Sequence, residues 1–309
     1  MTEFPLLQEV LPMARNITGH YVKNLSSWRR MAAVAWSAPD DPTIYGTIDL
    51  DMTEALAFLP KESERTGEHL TVTHLVTKAI ADTLAAHPGC NCIIRRGRIF
   101  ERDDVDISVL VAVPPEDADH AQEADLSETL VRNAHRKSMA EIAREIREGA
   151  KKVRKHEDPL LEQTKKLFAQ MPPALMGPLL RLVARLQYDF NLDLSSVGVP
   201  NDPFGSAIVT SVGVLGISEA FPPLLTFTRV PAVLAVGAVE NKPGVRDGQI
   251  VVLPAMRIAA TFDHRVIDGF QGGKLAKTFK DILQNPAAHF GRARPQSSNR
   301  RAASTPSST

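Results

Sequence analysis

The chain has 309 residues, about the length of two ordinary domains or of one elaborate α/β domain. Hydrophobic residues make up 43% and charged residues 23%, a balance that excludes wholesale disorder, collagen and coiled coil. Lysine plus arginine and aspartate plus glutamate each number 36, so no net charge draws the whole molecule to nucleic acid or anionic lipid, and partners must be sought at local sites.

Residues 1–11 lack a basic region followed by a sustained apolar stretch, so no secretory signal is expected there. Residues 31–38 (MAAVAWSA) and 43–50 (TIYGTIDL) flank a Pro/Asp turn and predict two strands. Asp51 or Thr53 can cap a helix reaching about residue 66. Residues 71–87 set Leu75, Val76, Ala79, Ile80 and Leu84 at helical spacing before Pro88-Gly89 stops them. Strands follow at 92–95, 97–100 and 105–113; the last is a nearly unbroken Val/Ile/Leu run suited to the centre of a sheet. Cys90 and Cys92, the two cysteines, are too close for a comfortable disulfide and too few for a zinc site, which predicts a reducing, cytoplasmic setting.

From 126 to 190 the texture predicts an inserted run of helices, densely charged over 140–157 and apolar over 167–186 with proline and glycine breaks. The charge run reads as a solvated helix face. Strands return at 206–212, 232–239, 249–253 and 256–262, and a helix is expected over 270–284. The stretch 291–309 is rich in Ser, Pro and Arg without apolar periodicity, so a disordered basic tail is expected after a domain covering 1–290. The longest apolar run, 230–239, falls well short of the roughly 20 residues a spanning helix needs.

The sharpest motif is Asp263-His264-Arg265-Val266-Ile267-Asp268-Gly269, at the junction of a predicted strand and helix. A histidine there can serve as general base, while Asp268 either starts the helix or ties down the loop through a charge pair, and Gly269 lets the backbone turn closely. Upstream, Thr210 and Ser211 in GSAIVTSVGVLG offer hydroxyls just before a glycine turn at residues 213–216.

These residues resemble the catalytic domain of the dihydrolipoamide acyltransferase component of 2-oxo-acid dehydrogenase complexes, a relative of chloramphenicol acetyltransferase whose signature is H-x-x-x-D-G. PAVLAVGAVENKP, DGQIVVLPAMRIAATFDHRVIDG and KTFKDILQNP are similar to that family's closing strands and last helix. TVTHLVTKAIADTLAAHPGCNCII and DDVDISVLVAVP are similar to its early helix and central strand. The resemblance implies an α/β fold, a two-layer sandwich of a mixed sheet and helices. It also implies acyl transfer between CoA and a dihydrolipoyl-type thiol or small-molecule acceptor, with no metal. By the same resemblance His264 is the base and Thr210 stands at the position of the family's oxyanion-binding serine. Asp268 supports the base, and Ser211, Arg265 and Gly269 are assigned to the coenzyme. A homotrimer with its site at the subunit interface is expected. The alternative is a non-catalytic trimeric scaffold that keeps the fold. Condensation-type relatives double the histidine, whereas residue 263 here is Asp. Because catalytic-domain-like sequence begins almost at once, a lipoyl group is expected to arrive in trans; because a polar stretch follows residue 290, an isolated trimer is expected rather than a cage. In the apolar part of the inserted run, Leu, Met and Val beside Lys166, Arg181 and Arg185 suit an interfacial membrane helix, a lid over an acyl pocket, or plain packing against the trimer.

Overall fold

The computed structural model describes residues 16–23, 41–113, 125–154 and 172–291. The strand expected at 31–38 and the tail from 292 onward lie outside the described residues. In chain order the elements are β1 (Gly19–Tyr21), β2 (Thr43–Asp51), α1 (Thr53–Thr66), α2 (Val72–Ala86), β3 (Cys92–Arg95), β4 (Arg98–Arg102), β5 (Ile107–Val113) and β6 (Asp125–Val131). Then come α3 (Met139–Arg154), α4 (Pro173–Ala184), β7 (Ala207–Ser211), β8 (Ala232–Arg246), β9 (Gln249–Asp263), α5 (Gly269–Gln284) and α6 (Pro286–Phe290). The expected mixed sheet covered by helices is present: six strands run in the order β2-β9-β8-β7-β5-β6, with β5, β7 and β8 parallel and the other pairs antiparallel. β1, β4 and β3 make a separate small sheet.

Period-two alternation sorts the strand residues between two faces. Ile107 and Val109 of β5, Ala207 and Val209 of β7, Leu234 and Val236 of β8 and Met256, Ile258 and Ala260 of β9 face a single core. α1 adds Phe58 and Leu59 to it, α2 adds Leu75, Val76, Ala79, Ile80 and Leu84, and α5 adds Leu275, Phe279, Ile282 and Leu283. The opposite face keeps only a small cluster of Ile208, Val230 and Val233, with Leu110, Phe204 and Leu224 against it. Both cysteines are buried and unbridged, and Cys92 Sγ lies 3.4 Å from the Gly89 carbonyl oxygen.

Two expectations about elements are corrected. The helical run expected from residue 126 opens as strand β6, which pairs along the whole of β5, and α3 behind it buries Ile142, Ala143 and Ile146 in the main core. The buried backbone of β5 needs hydrogen-bond partners on both sides, and β6 supplies one of them. The strands expected at 249–253 and 256–262 are one strand, β9. Pro254 interrupts nothing because its carbonyl side faces away from β8, where it accepts from Met52 N at 2.8 Å just past the end of β2. β8 correspondingly continues beyond residue 239 to Arg246.

A half-buried histidine stabilises the start of α2. Thr71 N donates to His74 Nδ1 at 3.1 Å, so that ring nitrogen must be unprotonated. Burial, with His69 and Arg147 nearby, depresses the His74 pKa from 6.5 to about 4. The folded state therefore favours neutral His74. Its stabilising contribution is complete above pH 6.5 and is lost as pH falls toward about 4. Urea titrations at stepwise pH should show this acid-side decline, flattened in His74→Gln; an unchanged slope in that variant would assign the decline to other groups.

Candidate active site

His264 sits in the turn that joins β9 to α5. Asp263 N donates to the Pro231 carbonyl at 2.9 Å and His264 N to the Pro42 carbonyl at 2.8 Å, which ties the turn to its neighbours on both sides. The Asp263 carbonyl accepts from Val266 N at 3.0 Å and Ile267 N at 2.9 Å, curling the chain back over itself. Its carboxylate holds Arg265 through the backbone N–H at 3.0 Å, Nε at 3.0 Å and Nη2 at 2.7 Å. The Arg265 guanidinium assigned to the coenzyme is thus bound within its own turn. Asp263, which the motif alone gave no role, organises that turn; the signal for it was a carboxylate two residues before an arginine in a chain reversal.

This curl brings the Ile267 carbonyl to 3.2 Å from His264 Nδ1. A carbonyl only accepts, so Nδ1 carries a proton. The imidazole is half-buried, and Nε2 lies on the side of the ring away from Nδ1 and this carbonyl. Asp268 starts the helix: its carboxylate accepts from Gln271 N at 2.9 Å while Gln271 Oε1 accepts from Asp268 N at 3.1 Å, a reciprocal cap. Of the two local roles open to it, the structure shows this one. Gly269 is corrected. Its φ is not positive and a Cβ there would meet open space, so it relieves no tight turn; it leaves bare ground beside exposed Phe270 at the start of α5.

Thr210 and Ser211 end β7, both half-buried. Alternation puts Thr210 on the open face with Ile208 and Ser211 on the helix face with Val209, so the two hydroxyls cannot serve one ligand together. Among the described residues the Thr210 hydroxyl has no hydrogen-bond partner. The chain then turns through Gly213–Leu215 and Gly216, at φ 74°, as expected. β8 bulges at Val236/Val239 to receive this turn, with Ala238 N donating to the Ile217 carbonyl at 3.0 Å. The packing admits no side chain: a Cβ on Gly213 would lie 2.5 Å from the Gly237 carbonyl oxygen.

Within one chain the base and the hydroxyl are far apart. Thr210 is level with Ala235 on β8, which is level with Ala259 on β9. His264 lies five residues further along, about 16 Å down the strands and about 10 Å across them. A single carbonyl cannot touch both from the same subunit.

This fold is shared with the catalytic cores of dihydrolipoamide acetyltransferases. A solved probable dihydrolipoamide acetyltransferase from Listeria monocytogenes 4b F2365 superposes with a TM-score of 0.57 at 20% identity, covering 86% of this chain and 95% of that one. The Azotobacter vinelandii dihydrolipoamide acetyltransferase, solved to investigate the catalytic roles of a serine, a histidine and an asparagine, gives 0.56 at 22% identity over 81% and 84%. Residues 22–168 and 202–290 match the model of the 2-oxoacid dehydrogenases acyltransferase (catalytic domain) family, and the chain belongs to that family. Among curated relatives, the dihydrolipoyllysine-residue acetyltransferase component of the Bacillus subtilis (strain 168) acetoin cleaving system is 27% identical over 78% of this chain and 49% of its own length. The mitochondrial succinyltransferase component of the Saccharomyces cerevisiae 2-oxoglutarate dehydrogenase complex is 27% identical over 79% and 42%. The chain therefore spans about half the length of these relatives.

Proposed function

We propose that the chain transfers an acyl group between coenzyme A and a dihydrolipoyl-type thiol, at sites shared by neighbouring subunits of a homotrimer. The observation that carries this reading is the placement of His264 in the turn between β9 and α5, its Nδ1 3.2 Å from the Ile267 carbonyl oxygen, in a chain of the acyltransferase family. Nε2 takes the proton of the attacking thiol as its sulfur adds to the thioester carbonyl. The carbonyl π electrons move to oxygen, and the Thr210 hydroxyl of the adjacent subunit donates to that oxyanion. Collapse re-forms the carbonyl and breaks the bond to the coenzyme sulfur, which recovers the proton from the imidazolium. Asp268 holds the helix start against which the turn is built. The acetyl- and succinyltransferase relatives support the reaction class. The Azotobacter vinelandii enzyme supports the residue pattern, since its histidine and asparagine are four residues apart, as are His264 and Asp268.

Two observations support the shared site. One is the distance between base and hydroxyl within a chain. The other is the arm formed where β8 and β9 run on past β2, whose cross-strand pairs Pro243–Val252 and Val245–Ile250 lie on one face. Val245, Ile250 and Val252 are 72, 82 and 72% exposed, apolar surface that a neighbouring subunit would cover. Incubating the protein with acetyl-CoA or succinyl-CoA and dihydrolipoamide should form the acyl thioester of the acceptor. A preparation confirmed as trimer by light scattering that forms none with either donor would falsify the reading.

A further inference from the structure

Residues 169–201 lie outside the stretches that match the family model, so the surface they build is an addition to the shared domain. α4, within them, is anchored on one side, where Ala184 and the following Tyr188 pack with Ile17, Ile93 and Phe100. The rest is unusual for a surface helix. Leu175 and Leu182 are 59 and 53% exposed, and Phe190, just past the π-helical turn Arg185–Asp189 that follows α4, is 54% exposed. At 3.6 residues per turn, Leu175, Pro178, Arg181, Leu182 and Arg185 fall within an arc of about 120°, and all five are exposed. Arg96, exposed in the β3–β4 turn, stacks on the Phe190 ring with Cζ 4.8 Å from its centroid. The sequence from Pro173 to Gln187 contains no acidic residue, and Asp189 just beyond it is held by Arg229 at 3.2 Å.

We propose that this face docks on an anionic membrane surface, with Leu175, Leu182 and Phe190 entering the boundary between headgroups and acyl chains and Arg96, Arg181 and Arg185 pairing with lipid phosphates. Charge selects this occupant: the arc carries Arg181 and Arg185 among its leucines, and the carboxylate at the same helical angle, Asp189, is half-buried and paired with Arg229. A second copy placed face to face about a two-fold axis would set arginine against arginine, and a contact with a different patch of a neighbouring subunit is the competing outcome that the assembly mass reads below. The length of α4, about 18 Å, lets it lie in the interface and forbids it to cross a hydrocarbon core of about 30 Å. Among the described residues no helix is long and apolar enough to span a membrane. Surface binding would place the transferase beside acyl donors or acceptors held in the bilayer.

Co-sedimentation of the intact protein with vesicles of phosphatidylcholine alone, or mixed with phosphatidylglycerol, tests the proposal. The protein should partition at least about tenfold more strongly onto the mixed vesicles, with salt reducing the difference. Arg181→Gln/Arg185→Gln and, separately, Leu175→Ser/Leu182→Ser should each reduce that partition about tenfold, with circular dichroism and light-scattering mass unchanged. Wild-type protein left in the supernatant with mixed vesicles would overturn the proposal, as would variants that sediment like wild type. A change of assembly mass in the leucine variant would also overturn it, by showing that the face joins subunits. The arginine pair is fully on the outer arc, so its result stands even if the leucine variant folds poorly.

Discussion

His264→Ala should lower the rate of acyl transfer by about two to four orders of magnitude, the usual cost of losing a positioned general base. Thr210→Val, which keeps the shape of the side chain and removes its hydroxyl, should lower it by about two to three orders. Thr210→Ser, which retains the donor, should keep most of the activity. Neither inactivating variant alone says where the other half of the site resides; mixing them does. The two residues are about 16 Å apart along the sheet and about 10 Å across it within one chain, so the proposed reaction requires His264 of one subunit to work with Thr210 of another. If the two inactive variants are dissociated, mixed in equal amounts and reassembled, about a quarter of the interfaces unite an intact His264 with an intact Thr210. Activity should return to about that fraction of wild type. No recovery in mixed trimers verified by mass would sink the shared-site reading, while leaving the single-variant losses as evidence for each residue separately.

What local pattern could reveal, and what it could not, divides along the range of the interactions concerned. The Val/Ile run of β5 announces a central strand, and it is paired on both edges; the strand, turn and helix around His264 are legible from the motif, whose Asp268 can start a helix. The proton on His264 Nδ1 was not legible, because it depends on a backbone curl that returns the Ile267 carbonyl to the ring. Nor was the separation of Thr210 from His264. That follows from β8 lying between β7 and β9 and from their registers, which are long-range choices with no trace in the spacing of either residue. β6 was misread because a short polar-apolar strand at a sheet edge carries less periodic signal than the amphipathic helix α3 that follows it. Gly269 was credited with a tight turn because a glycine after a motif suggests one, yet its conformation is open to any residue.

The second large effect expected is on stability, at a buried ion pair that fastens the chain ahead of β7. Arg102 at the end of β4 is fully enclosed and pairs through both terminal nitrogens with Asp202, which is itself buried. Tyr188 Oη donates to the same carboxylate at 3.3 Å, and Asp202 N donates to Asn16 Oδ1 at 2.8 Å. Burial pushes the Tyr188 phenol well above its ordinary pKa, so it remains a donor throughout the working pH range. Three residues further on, Gly205 adopts φ 68° and passes so close to Asp106 that a Cβ would lie 2.5 Å from its carbonyl oxygen, and Thr210 follows five residues later. The pair thus sets where β7 enters the sheet. Arg102→Met strands a buried carboxylate and Asp202→Asn a buried guanidinium, so each should cost about 3–5 kcal/mol and lower Tm by about 10 °C. Arg102→Met combined with Asp202→Leu leaves no charge stranded and should recover a large part of that loss, because the desolvation of both ions is avoided. Single substitutions costing less than about 1 kcal/mol would mean that water reaches the pair and that β7 is anchored elsewhere. If the account is right, the single variants also lose transfer activity below their melting range, through displacement of Thr210, and the double variant regains activity and stability together.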